Sequence, residues 1–574
     1  MAKLKHPKVL LEGRGEVALR ENDHLATGGE GSVFRLGDLV VKIYADTGRM
    51  KAEGLTEKVR LLARVKHPYI VAPHGVVSTP SGEPVGLYYP FAQGEPLPRL
   101  FTNDYRAQVG FTDAHATTLV ERMREAQQFV HGANAVVVDG NELNYLAHLQ
   151  KQKSPEPRMI DVDSWAIGRW GAKVIMPSIR DWHTKGFTPL SDWFSWGIVT
   201  FQLFTGIHPY KGRLQGFEFG DLEGRMKANA SVFSPKIALA RAVRDFGCIP
   251  PALREWYRAE FHDGARSVPP DQFHAAGIAH AARTVRAVAV PHSGVLVYEK
   301  LFAHTDAIAR VFPCGVVATA KGDLVEIASG RSLGQADPTS VEVTRVEYGF
   351  LVADWHQGPR LAFVDATSYQ RSDLSFQVTA SRFMRHENRL FVVTDRGLTE
   401  VVVKHFGKVV AGLGNTWGAL PYGTRWYDGV GVQDTLGAFY LVLPAGDMGC
   451  VHVRTPELDG LTPLAAKAGE RFVAVVALDH MGVYHKFEFA FDKTYTNYSL
   501  WRGETDVAEL NMSVMPRGVC ATITEDGEMV VFEPSTGVVK KVKDPHITTD
   551  MRLYRIDDRV VFARGAEVWS VRMS

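Results

Sequence analysis

Three short stretches of this sequence carry side chains that could hold a phosphorylated ligand and a metal ion. In LATGGEGSVFRLGDLVVKIYA, alternating Val33, Leu39 and Val41 predict a hairpin whose turn and flanks carry Gly28, Gly29 and Gly31. A loop without Cβ atoms can bring backbone N–H groups close to phosphate oxygens. Lys42 follows on a predicted strand, eleven residues beyond Gly31. In VVVDGNELNYLAH, Asp139 and Asn144 stand five apart; in RMIDVDSWAIG, Asp161 and Asp163 stand two apart. Carboxylates at i and i+2 of an extended segment face one side, which suits chelation of a hard divalent cation.

Together these stretches resemble a protein-kinase domain, nearest to divergent bacterial-type Ser/Thr kinases, over about Leu25 to Ala276. The resemblance implies that Gly28, Gly29, Gly31 and Val33 cover ATP while Lys42 holds its α- and β-phosphates. It implies that Asp139 orients the acceptor hydroxyl and that Asn144, Asp161 and Asp163 bind Mg2+. Glu57 is the expected partner of Lys42, with Glu53 as the alternative, and Tyr89 to Ala92, with Phe91, form the hinge that receives adenine. Pro90 removes one backbone donor from that hinge. GFTPLSDWFSWGIVTFQLFTGIHPYKG matches a further kinase segment, in which Asp192 would brace the catalytic loop; Arg266 falls at the usual arginine of the closing helices.

The departures bear on activity. Ala26 replaces the first loop glycine, Val137 and Val138 replace the His-Arg before the catalytic aspartate, and Glu142 stands where many kinases carry lysine. Val162 fills the Phe position of DFG and Asp163 its glycine; no APE motif is visible between Ile167 and Leu190. A short activation segment lacking a peptide-docking platform leaves three functions open: protein kinase, pseudokinase scaffold and small-molecule kinase.

The elements that must position these residues divide unevenly. Residues 1–24 read as an N-terminal extension, 25–96 as strands around one helix, and 97–283 as mostly helix, an α+β two-lobed arrangement. A linker is predicted at 284–293, before an all-β domain at 294–574. There, seven strand–turn–strand runs begin at Gly315, Gly349, Arg389, Gly437, Arg471, Gly518 and Arg559, about 41 residues apart. That is the length of a four-stranded blade, and it predicts a β-propeller of six or seven blades, with a β-sandwich pair or an irregular all-β domain as the alternative. Its rim is expected to bind a protein substrate or partner.

Composition limits the rest. Within 574 residues, 65 Lys plus Arg nearly cancel 64 Asp plus Glu, so no overall field favours nucleic acid or a membrane surface. The N-terminus lacks the apolar core of a signal peptide and no run of apolar residues is long enough to span a bilayer. Four scattered cysteines without metal-ligand spacing are expected to be reduced thiols of a cytoplasmic protein. His67, His74, His131 and His208 have no zinc-ligand spacing.

Overall fold

A computed structural model describes residues 6–573, apart from 151–152, 173–174, 241, 272, 274–295, 357, 380–381, 447–448, 525–526, 534–537, 545 and 549–550. The linker expected at 284–293 lies outside the described residues. An α+β region is followed by an all-β region, and no described helix is long and apolar enough to cross a membrane.

The α+β region begins with β1 (Lys8–Leu11), β2 (Gly15–Ala18), β3 (His24–Gly28), β4 (Gly31–Leu36), β5 (Leu39–Tyr44), β6 (Gly75–Ser78) and β7 (Pro84–Pro90). They form one antiparallel sheet in the order β2-β1-β6-β7-β5-β4-β3. Residues 8–18, set apart above as an extension, therefore belong to this sheet: Leu10 and Leu11 pair with Ser78 and Val77 of β6. Their apolar side chains explain why, since Val9 and Leu11 are buried beside Phe34, Val41 and Val77.

Helices α1 (Gly48–Ala52) and α2 (Leu55–Leu62) cross between β5 and β6; α3 (Asn103–Val109), α4 (Asp113–Gly132), α5 (Pro189–Thr205), α6 (Leu222–Lys227) and α7 (Pro251–Phe261) build the helical part. The sequence of α5 is rich in large apolar residues, and from Ser191 to Thr205 every one of its residues is buried. Thr188 caps its first turn, Pro189 occupies the first helical position and Gly206, at φ +82°, ends it. Trp193, Phe194, Trp196, Phe201 and Phe204 of α5 anchor a core that also takes Leu119, Val120 and Met123 of α4.

The all-β region contains seven four-stranded antiparallel sheets among the described residues. Six are consecutive, spanning 308–335, 341–374, 382–418, 424–454, 462–505 and 512–542; the seventh joins three strands of 552–573 to Leu296–Ala303 at the start of the region. Each sheet packs on the next through its own apolar core. Val317 shares a core with Val561, Leu324 with Val343, Leu351 with Phe383, and Phe391 with Trp426. Leu441 shares a core with Phe487, Phe472 with Phe532, and Met529 with Phe562, which returns to the seventh sheet. This organisation is compatible with a propeller. Six of the predicted runs are the second and third strands of a sheet, whereas the run at Gly437 is the third and fourth, after a second strand at Gly431–Thr435.

The two regions share a face. Val507 enters the core of the helical part and Leu143 packs on the core between the 462–505 and 512–542 sheets. Tyr484 donates to Gln202 Oε1 of α5 at 3.2 Å, while Thr27 N–H of β3 donates to Asp434 Oδ2 at 2.7 Å.

Candidate active site

Lys42 stands on β5 between Val33 of β4 and Leu87 of β7, where strand alternation turns its side chain from the sheet toward the helical part. A two-residue turn, Gly29-Glu30, joins β3 to β4 and sets Gly28 opposite Gly31. Gly31 is held by packing: a Cβ there would collide with the carbonyl oxygen of Ile43, whereas one on Gly28 or Gly29 would meet nothing within 4 Å. Only the tip of the loop is thus open above its backbone.

The Lys42 ammonium meets three carboxylates. It donates to Asp161 Oδ1, to Asp163 Oδ2 at 3.0 Å, and to Glu30 Oε2 at 2.9 Å. Burial alone would lower its pKa, but Asp161 and Asp163 raise it well above the ordinary lysine value. Glu30 was not singled out in the sequence. Its other oxygen accepts from Arg49 at 2.9 Å, so the loop tip carries a carboxylate onto two cations.

Asp161 and Asp163 differ in what remains for a metal. Asp163 is 3% exposed, and beyond Lys42 it accepts from the hydroxyls of Tyr44 and, at 2.6 Å, Tyr89. Although burial opposes ionisation, Lys42 and the two tyrosines hold this carboxyl well below the usual range. Asp161 is less enclosed and stands at φ +59°, just before a single 3-10 turn. Burial, with added repulsion from Asp163 and Glu30, pushes it up to about 7 against the pull of Lys42. One ligand oxygen each of Glu30, Asp161 and Asp163 lies within 4.8 Å of the others. Hard oxygen donors at this separation fit a divalent cation, with Asp161 the better ligand because Asp163 is already saturated by protein donors.

Asp139 and Asn144 adjoin this group through the backbone. Asn144 Nδ2 donates to the Asp139 carbonyl at 2.8 Å, and Ile160 N–H donates to the Asn144 carbonyl at 3.0 Å, which ties the loop to the strand leading into Asp161. Asp139 Oδ1 accepts from Met176 N–H at 2.8 Å, and burial raises its pKa. Below the loop, Asp192 of α5 accepts from Val137 N–H at 2.6 Å and Val138 N–H at 2.9 Å, with His131 Nε2 at 2.9 Å.

Two expected contacts are absent from the places the sequence suggested. Glu57 does not reach Lys42: its side chain is 58% exposed and pairs with Arg169, while the alternative, Glu53, pairs with Arg49. The buried face of α2 is Leu55, Lys58, Val59 and Leu62, so the helix offers Lys58, whose ammonium donates to the Asp163 carbonyl at 2.5 Å. At the hinge, the Tyr89 side chain serves Asp163, and Phe91 N–H donates to the Asp38 carbonyl at 2.7 Å, so neither Pro90 nor Phe91 offers adenine an uncommitted N–H. Arg266 forks onto Asp181, at 2.7 and 2.8 Å, and its guanidinium lies 4.3 Å from the centre of the Phe194 ring. Asp181 had no motif to mark it.

The site therefore combines a glycine turn, a strand lysine and converging carboxylate oxygens. Comparison with known sequences finds a weak, partial similarity to a protein kinase. Over 206 residues the chain is 24% identical to mitogen-activated protein kinase kinase kinase 7 of Drosophila melanogaster. The alignment covers 34% of this chain and 29% of that protein, so the chain spans less than a third of that relative. No protein-family model matches the chain.

Proposed function

We propose that the chain is an ATP- and Mg2+-dependent phosphotransferase of the Ser/Thr protein-kinase type, with a two-lobed kinase-like domain. The observation that carries this reading is the meeting of Lys42 with Asp161 across the cleft, beside an Asn144 tied to Asp139. In this reading Lys42 and the Gly28–Gly31 turn hold the triphosphate, and Asp161 and Asn144 hold the cation. Bound Mg2+ supplies neutralisation of the charge on the phosphoryl oxygens. Asp139 aligns an acceptor hydroxyl for in-line attack and takes up its proton, with the segment at Met176 fixing the carboxylate. Glu57 has no part in it; the charge on the Asp161–Asp163 pair is met by Lys42, while Lys58 holds the Asp163 backbone carbonyl.

The C-terminal region is, in the same proposal, a seven-bladed β-propeller that engages a protein partner. Seven apolar cores, each linking one sheet to the next and the last to the first, support seven blades. The four free thiols support a cytoplasmic setting.

Incubation with γ-labelled ATP and Mg2+ tests the enzymatic reading. Labelled product is expected from the wild type and not from Asp139→Asn or Asp161→Ala; equal label in all three overturns it. A second reading, a nucleotide-responsive pseudokinase, is favoured by one observation: Glu30 already occupies Lys42. ATP binding without turnover in the same assay would select it.

A further inference from the structure

Between the two regions lies a cavity of about 820 Å³, walled on one side by Leu25–Thr27, Glu95 and Arg99 and on the other by the all-β region. Its size is that of a site for a small molecule, roughly 300–1,000 Å³. Lys42, Asp161 and Asn144 do not line it, so it is separate from the cleft described above.

Three guanidinium groups line this cavity, and their bonding is incomplete. Arg99 is 6% exposed and gives Nη1 to Glu95 at 2.6 Å, while its buried Nε has no partner. Arg382 donates to the carbonyls of Trp426, Tyr427 and Phe383, at 3.1, 3.3 and 3.5 Å, rather than to a carboxylate, with Glu342 and Asp428 acting on it from a distance. Arg425 has no hydrogen-bond or ion-pair partner among the described residues. The acids in the wall do not balance them. Glu95 is hydrogen-bonded by Arg99, and Arg425 and Arg382 act on it only through their charge. The Asp434 carboxylate is taken by the N–H groups of Thr27 and Gly437, both at 2.7 Å, and Asp395 is exposed. Arg382 and Arg425, half-buried and hydrogen-bonded to no carboxylate, favour an anion that completes their hydrogen bonds.

We propose that this cavity binds a small anionic molecule, its phosphate or carboxylate group held by Arg425 and Arg382 and its body in contact with both regions. Such an occupant touches Ala26 and Thr27, the residues that lead directly into the Gly28–Gly31 turn and Glu30. It is positioned to report its presence to Lys42 through that strand.

Calorimetric titration of the full chain with inorganic tripolyphosphate and, separately, with citrate tests this. The Lys42→Ala variant removes the cleft lysine and should retain binding of one probe; which probe binds distinguishes phosphate from carboxylate. Adding Arg425→Ala should weaken that binding about tenfold or more, and Arg425→Lys less so. Failure of both probes to bind Lys42→Ala, or binding unchanged when Arg425→Ala is added, overturns the proposal. Failure of the nucleotide reading alone would leave the Lys42→Ala titration intact.

Discussion

The Asp192 carboxylate holds the N–H of Val138 at 2.9 Å, and Val138 stands at φ +65°. A β-branched residue adopts that backbone only under constraint, because its Cβ crowds the neighbouring carbonyl. Here the constraint is a buried acid on the central helix, which also takes Val137 N–H. Replacing Asp192 by Ala leaves two buried donors unpaired and releases the strained turn. We expect a loss of about 3 kcal/mol or more in urea unfolding. A loss below about 1 kcal/mol would mean that the turn holds itself.

The glycines of the β3–β4 turn should separate by role. Gly31→Ala forces a methyl group into the Ile43 carbonyl and should cost about 2 kcal/mol, read as a lower thermal midpoint. Gly29→Ala meets open space and should stay within about 0.5 kcal/mol of the parent. Equal effects of the two would contradict the packing described.

Glu30 and a phosphate group compete for the same ammonium. Glu30→Gln keeps the shape of the side chain and removes its charge, so MgATP should bind about tenfold tighter by titration calorimetry. Weaker binding would mean that Glu30 helps to hold the nucleotide, for instance as a cation ligand.

Asp161 gives the cleft a pH dependence with a definite sign. Its folded pKa, about 7, lies above the ordinary 3.8. Without a cation, this acid favours the folded state most below its unfolded value, and that contribution is lost as pH rises through 7. A cation needs the ionised form, so apparent Mg2+ affinity should fall toward tenfold for each pH unit below about 7, with proton release on binding. Asp161→Asn should flatten that profile and make the metal-free protein more stable at pH 8. A profile unchanged by the substitution would assign the proton to another group.

Much of this arrangement could be read from the sequence because its signals are local. Lys42 on a strand, the Gly28–Gly31 turn and the Asp139–Asn144 spacing each depend on a few neighbouring residues. Glu57 failed because one residue of helical phase decides which side chain faces the cleft. Leu55, Val59 and Leu62 already mark the buried face of α2, and Lys58 lies on it. Asp181 and Glu30 were illegible for a different reason: their partners, Arg266 and Lys42, are 85 and 12 residues away, and no motif announces either pair. The 8–18 hairpin was missed because a short Val-Leu-Leu run looks like a tail until a sheet edge receives it. In the all-β region the hairpin recurrence survived, but the run at Gly437 falls one strand later in its sheet than the others do in theirs.

The strand Leu296–Ala303 pairs with Glu567–Met573, and Tyr298 lies opposite Val571. During synthesis the earlier strand leaves the ribosome with its partner still some 260 residues from being made, so its edge stays open while six other sheets assemble. An open edge of that duration is where intermolecular pairing starts, and closing it joins segments of very high sequence separation, which slows folding. Yield in a heterologous host should therefore track translation speed and chaperone supply more closely than the final stability of the protein.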